Sequence, residues 1–560
     1  MNASRATQLL LAAAVALGAT HARAVTVDWT LVAREGDAAP PVPSPHVFDT
    51  LADVSVRGDG TVFFSNIGPG SSDPALYRWS AANGVELLTR LDLPDGPLGD
   101  PAYSIEAGFV AVGSQNEGPL LVDRPASLDA CPSSGLVDEA TFSVSEAGDL
   151  VPLSQPGAPV PGLDPGWIFG WGQTSAISGY YESSYPPHYE PTPAVNASGE
   201  LAFFAGSVHA DVCEASGFDP YANAVFGPDG NGGTALVAMP QQPEPDAPAG
   251  SVLIPKNSVA LNDLGDVAFS ADLRLGPSSP TVPAIYRWNA LGGLQLVAYQ
   301  YGPDPEGSTF SRPVFFVLGD GGHVVFLDGG FGGYYWYDQL FGIYVHDDVN
   351  GTRAVVRIGD QMPGLPPSFS ARAVNAFAVN ARGEVAFSMQ VEESTTHALR
   401  WGVWGPNSAG NTAIRLIDGG LAPGLGSARF ERFEVLALSD EREILFKASL
   451  SANDSSDYAF YLGDVNGRLR LLLRNRDSHE LGQGTPEALH FWYGRLQWDA
   501  ELRHFAALMA DEADGLVIVS TEVPEPGALL AGAVAIAALI AARRGGAAWL
   551  HPRETDASVH

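Results

Sequence analysis

Lysine is almost missing from this chain: Lys256 and Lys447 are the whole complement. Basic residues number 30 against 64 acidic ones, for a formal charge of −34. Such a surface repels phosphate backbones and anionic lipid, which excludes DNA and RNA as partners. Cysteine is equally scarce, with only Cys131 and Cys213. In an exported chain two such thiols pair when they are close enough, and sequence alone leaves that distance open. The motifs G-x-S-x-G, H-E-x-x-H, C-x-x-C and the P-loop are all absent. Their absence removes the familiar nucleophile, zinc, redox and phosphate signatures but not a site assembled from dispersed loops. Apolar runs as long as the roughly 20 residues of a full membrane span are missing too.

What is present is glycine (63), proline (43) and a 45% hydrophobic share. That share is too high for a disordered chain. With so many turn formers, the composition suits many short strands joined by tight turns.

The two ends differ from the rest. Arg5, the apolar run Leu9 to Gly18 and the small-residue site Ala22-Arg23-Ala24 make up a secretory signal peptide over 1–24, with cleavage expected after Ala24. At the other end Val523-Pro524-Glu525-Pro526-Gly527 leads into an apolar stretch, 528–542, which is followed by Arg543-Arg544. Its 15 residues are short for a bilayer, but tilt or local thinning accommodates the mismatch at modest cost. The arginine pair would stay on the cytoplasmic side.

Self-similarity runs through the middle. Asn196-Ala-Ser-Gly199-Glu-Leu-Ala-Phe203 recurs as Asn262-Asp-Leu-Gly265-Asp-Val-Ala-Phe269 and as Asn380-Ala-Arg-Gly383-Glu-Val-Ala-Phe387. Weaker copies at Arg57, Gly319 and Ser439 lack the Asn. Asn and Gly make a tight reversal, because Gly tolerates positive φ. The alternating residues after it start a strand expected to have one buried face. A second element, Leu31 to Asp37, resembles Val355 to Asp360 and has relatives near Leu87, Val151, Leu236, Leu296, Ile414 and Leu471. Pro/Gly turns such as Met362-Pro363-Gly364 and Ala422-Pro423-Gly424 follow it. A third, aromatic element includes Tyr77, Tyr286, Tyr344, Trp404 and Tyr461, and Asn-Gly turns lead on from it.

Each unit therefore reads as four strands, opened by the Leu-Val-Ala-Arg strand. The predicted fold is all-β: a β-propeller-like ring of seven or eight four-stranded modules over 25–521, since that number lies in the range where rings close. A β-solenoid or an array of small β-sandwiches is the alternative. Residues 522–560 form a tail with a single hydrophobic helix over 528–542.

Two resemblances follow from these residues. The tail, from Val523 through Arg544, resembles the PEP-CTERM signal of Gram-negative bacteria. That resemblance implies Sec export, transient inner-membrane insertion, cutting near Pro524-Glu525-Pro526 by an exosortase, and release or display at the cell surface. The repeats resemble bacterial tandem-repeat proteins defined by N-x-x-G-x-x-A-F copies with variable C-terminal anchors, and the match lies at Asn196, Gly199, Phe203, Asn262, Gly265, Phe269, Asn380, Gly383 and Phe387. It implies a cell-surface setting and brings no activity.

Candidate chemistry is sparse. Repeated Asp and Asn side chains at one rim suit Ca²⁺, a hard cation, yet Asp347-Asp348-Val349-Asn350-Gly351 and Asp229-Gly230-Asn231-Gly232 read better as hairpin turns; no cofactor is expected. His209, Asp211 and Cys213 alternate and would share one side of a strand, although a Cys131–Cys213 bridge would consume the thiolate. Aromatic clusters that include Trp167 and Trp171, then Tyr335 and Trp336, are the best hint of a ligand, with loop packing as the plainer explanation. The expected role is structural or binding, at the surface or in exopolysaccharide, with that matrix or other surface proteins as partners. The alternatives are a lectin-like binder using these aromatics and a secreted glycan hydrolase or lyase, for which no single carboxylate pair stands out among 64 acidic residues.

Overall fold

A computed structural model describes residues between Trp29 and Val523, without a break over 246–329 and 340–451 and in shorter runs elsewhere. Its described elements are all strands. Eight antiparallel sheets follow one another over 51–90, 110–154, 167–238, 242–299, 313–357, 369–417, 430–474 and 496–522. They are blades 1 to 8 of a β-propeller.

Within a blade the strands pair in chain order, as in Leu51–Val56, Val62–Asn66, Ala75–Ser80 and Gly84–Arg90 of blade 1. First strands of successive blades are neighbours: Leu51–Val56 lies against Val110–Val112 of blade 2 and Leu496–Trp498 of blade 8. These strands therefore converge on the centre of the ring. Blade 3 has its first strand in two pieces, Trp167–Phe169 and Ala194–Val195, both paired with Leu201–His209. The insertion leaves the blade from between those pieces. A two-stranded hairpin, Ser478–Glu480 with Pro486–Ala488, precedes blade 8.

Blade 8 closes the ring. Its outer strand is Thr30–Arg34, paired antiparallel with Leu516–Glu522 from the other end of the chain. This corrects the phase of the sequence unit. The Leu-Val-Ala-Arg strand does not open its own unit; it is the outermost strand of the preceding blade. The Asn turn is the first hairpin inside a blade, and the aromatic element is the third strand. Sequence similarity alone cannot set this phase, because a cyclic repeat looks the same from any starting strand.

The expectation of one buried face is also corrected. Val267, Ala268 and Phe269 are all fully buried. Val267 and Phe269 pack with blade 3, while Ala268 packs with blade 5. In blade 6, Val385 and Phe387 face blade 5 and Ala386 faces blade 7. Blades stacked face to face leave no solvent side for the middle strands. Alanine stands where the next blade comes close, and the large residues fill the other side.

Six blades repeat one aromatic pair. The motif phenylalanine stacks on the third strand's ring: Phe64 on Tyr77, Phe203 on Phe226, Phe269 on Tyr286, Phe326 on Tyr344, Phe387 on Trp404 and Phe446 on Tyr461, at 5.1–5.9 Å and 12–18°. The chain entering a blade, up to the start of its first strand, folds over this pair. Phe48, Phe310 and Phe430 meet their blade's third-strand ring edge-on. Trp404 Nε1 donates to the Pro363 carbonyl and Tyr461 Oη to that of Pro423, both at 3.1 Å. The Pro/Gly turns of the sequence are thus latches on the aromatic strand.

Candidate functional site

The turn residues of the repeated motif come together in one place, a girdle of first-hairpin turns around one face of the ring, while its phenylalanines lie in the second strands. Asn380 Oδ1 accepts from the backbone N–H of Arg382 and Glu384, at 3.1 and 3.0 Å, which closes its own turn. Its amide donates to Glu384 Oε2 at 2.9 Å and to the Ser439 carbonyl of blade 7 at 3.3 Å. Asn262 repeats this with the Gly319 carbonyl of blade 5 at 3.1 Å, and Asn196 with the Asn262 carbonyl of blade 4 at 3.1 Å. All three are buried. Each Asn therefore shapes one turn and ties it to the next.

The glycine of the motif serves the same approach. Gly265 and Gly383 have φ of +81° and +72°. A Cβ on Gly383 would lie 2.3 Å from the His323 ring of blade 5. Blade 7 places Arg442 at this position with φ +64°, and its guanidinium grips Glu384 of blade 6 at 2.7–2.9 Å. Gly199 lies outside the described residues.

Sequence reading left the residue after the glycine open, and it proves to be the charged member of the girdle. Asp266 pairs with buried Arg287 at 2.7 Å, and Arg287 reaches Asp348 of blade 5 at 2.8 Å. Glu443 meets Arg470 at 2.5 Å and Arg503 of blade 8 at 3.4 Å. Burial raises the Glu443 pKa, against the pull of both arginines. The recurring acid at this place (Glu200, Asp266, Glu384, Glu443) was the available signal.

Two imidazoles sit in the girdle between blades 4 and 6. His346 Nδ1 lies 2.9 Å from Thr352 Oγ1, while its Nε2 is buried without a hydrogen-bond partner among the described residues. Burial is the first cause that lowers the pKa of both His323 and His346. In blade 8, His504 differs: its bond to Asp499 Oδ2, 2.8 Å, is the main cause that raises its pKa.

In the hairpin turns considered for calcium, Asp229 and Asp347 bond within their own turns, while Asp348 pairs with Arg287 of blade 4. Asp229 Oδ1 accepts from Asn231 and Gly233 N–H at 2.7 and 2.8 Å, and Asp347 Oδ1 accepts from Val349 and Asn350 N–H at 3.0 and 2.7 Å. Hydrogen bonds from Asn231 and Gly233 lower the Asp229 pKa. Among the described residues no three metal-ligating side chains stand together.

Of the aromatic candidates, Trp167 opens the first strand of blade 3 opposite His209, and nothing is described of its side chain. Trp171, Tyr335 and Trp336 lie outside the described residues, as do Cys131, Cys213 and Asp211. Ala22, Ala24, Pro524, Glu525, Pro526, Gly527, Arg543 and Arg544 lie outside them too, together with the apolar segment 528–542. Val523 is described: it is buried, and its N–H donates to the Arg503 carbonyl at 2.7 Å. Among the described residues no helix is long and apolar enough to cross a membrane.

Comparison with solved structures finds slight likenesses. The Dos1 propeller is 9% identical, with 89% of this chain and 96% of that chain covered and a TM-score of 0.39. For the β-propeller domain of the Trilobed protease from Pyrococcus furiosus the values are 7%, 75%, 97% and 0.35. For Trypanosoma rangeli sialidase in complex with the inhibitor DANA they are 9%, 82%, 59% and 0.29. No curated protein matches the chain. A family described as of unknown function, DUF7453, matches over residues 125–479, more than half of the length, and the chain belongs to that family.

Proposed function

We propose that this propeller is an exported scaffold, displayed at the cell surface or in exopolysaccharide after exosortase processing, where it has a structural or binding role. The observation that supports this most directly is where the ring stops. Trp29 is buried and its Nε1 donates to the Leu472 carbonyl of blade 7 at 3.1 Å; Val523 is buried at the other end. The expected cleavage after Ala24 and the Pro524-Glu525-Pro526 site therefore both fall just beyond the closing blade. Either cut leaves the contacts among the described residues of the ring intact. Mass spectrometry of the chain recovered from its host's surface tests this: a first residue of Val25 and a last residue near Pro524 are expected. A surface chain that retains 1–24 or 528–560 would refute the processing.

A second reading, glycan binding, draws on the placement of the aromatic segments. One insertion departs from within the first, central strand of blade 3, and Tyr335 and Trp336 lie between the second and third strands of blade 5. Glycan-array binding that is lost in Trp171→Ala and Trp336→Ala supports it; an array without any binding rejects it. Products formed from the host's own polysaccharide would instead favour a hydrolase or lyase.

A further inference from the structure

Thr30 and Val523, at the two ends of the described ring, lie on the same face. Third strands end at the turn that leads to the outer strand, on the side of the Asn-turn girdle. Arg287 shows this directly, because it bridges the first-hairpin acid Asp266 to the third-to-fourth-strand turn at Asp348. The last strand, Leu516–Glu522, is the third strand of blade 8, and Val523 bonds Arg503 in the first turn of that blade. The first strand of the chain starts there too, with Thr30 opposite Ser520. Only Pro524 to Gly527 separates Val523 from the apolar segment 528–542. Four residues span at most about 14 Å.

The same face carries exposed aliphatic side chains at its turn tips. Leu264 and Leu291 in blade 4 and Val349 in blade 5 are 69%, 102% and 89% exposed. In a ring of eight, these blades stand across from blade 8. We propose that, while segment 528–542 is held in a bilayer, this face lies flat on the lipid surface. It is tethered at blade 8 and seated on the far side by Leu264, Leu291 and Val349. The proposal rests on the anchoring part of the function proposed above. The partner is a zwitterionic lipid surface. Tyr301, Leu399 and Leu421 are exposed on the opposite face, so it is the short tether that selects this one; its apolar tips then seat in the headgroups, and the carboxylates beside them, Asp263, Asp320 and Asp348, disfavour anionic lipid. The opposite face, which carries the entering loops and the connection that holds Tyr335 and Trp336, then points away from the membrane.

The test uses the full chain in vesicles of phosphatidylcholine and phosphatidylethanolamine. An environment-sensitive fluorophore is placed at Leu291→Cys or, on the opposite face, at Leu399→Cys, with Cys131 and Cys213 replaced by serine. Lipids carrying a nitroxide quencher report contact. The expected result is co-flotation, with a blue shift and strong quenching for the label at 291 and neither for the label at 399. Hydrogen exchange of the unaltered chain checks the same claim without labels: vesicles should slow exchange at 262–265, 289–293 and 347–351 and leave 394–399 unchanged. Failure to float sinks the anchoring and the proposal together. Flotation with equal quenching at both sites, or equal exchange on both faces, sinks the proposal alone.

Discussion

At the residue scale the repeat motif is a contact between blades written into a turn. Asn380 meets its valences inside its own hairpin and spends one donor on blade 7. Gly383 is needed for two separable reasons, left-handed backbone and proximity to His323. Gly36 has the first need without the second: its φ is +85° and its surroundings are open. Gly36→Ala is therefore expected to cost about 1 kcal/mol, the left-handed penalty of an alanine. Gly383→Ala adds overpacking of about 1–3 kcal/mol. Thermal unfolding of the two variants measures the difference, and equal losses would show that His323 moves aside freely.

At the scale of the blade, protonation acts in opposite directions on the two sides of the ring. His323 and His346 have pKa values lowered by burial. Burial favours their neutral rings, so the stability they lend is full above the ordinary imidazole value of about 6.5 and falls as the pH drops below it. His504 has its pKa raised by Asp499. Its contribution is full below about 6.5 and is lost as the pH rises through the elevated value. Hydrogen exchange at pH 5 against pH 8 should thus show blade 5 loosening in acid and blade 8 tightening. His504→Asn should abolish the second response and keep the first.

On the scale of the whole molecule, the closing strand carries more than its five residues suggest. Thr30–Arg34 covers the edge of Leu516–Glu522, which would otherwise expose an unpaired row of backbone groups. Trp29 and Val32 are buried with it. A chain starting at Asp37 forfeits their burial, about 4 kcal/mol at roughly 2 kcal/mol each, and leaves an open edge. Light scattering and a thermal scan should show association and an earlier transition. A truncated ring with unchanged midpoint would mean that closure contributes nothing to stability.

The all-β class, the four-stranded module and a recurrence of seven or eight units were legible in the chain, because alternating apolar residues, Asn-Gly reversals and aromatic strands are local patterns that any window of sequence carries; that the ring holds eight was decided by the fold. Which strand opens a blade was not legible, since pairing between Leu31 and Val519 spans the entire chain. Nor was burial of both faces of Val267-Ala268-Phe269: period-two alternation marks one face, and only a neighbouring sheet on each side makes Ala268 as deeply covered as Phe269. The acids of the girdle looked like ordinary surface charge among 64 others. Their arginine partners lie 21 to 60 positions away, so a distance in space, set by ring closure, decided which of them are structural. By itself the sequence determined the four-stranded module; tertiary contact decided its phase, its partners and the shared face on which Thr30 and Val523 lie.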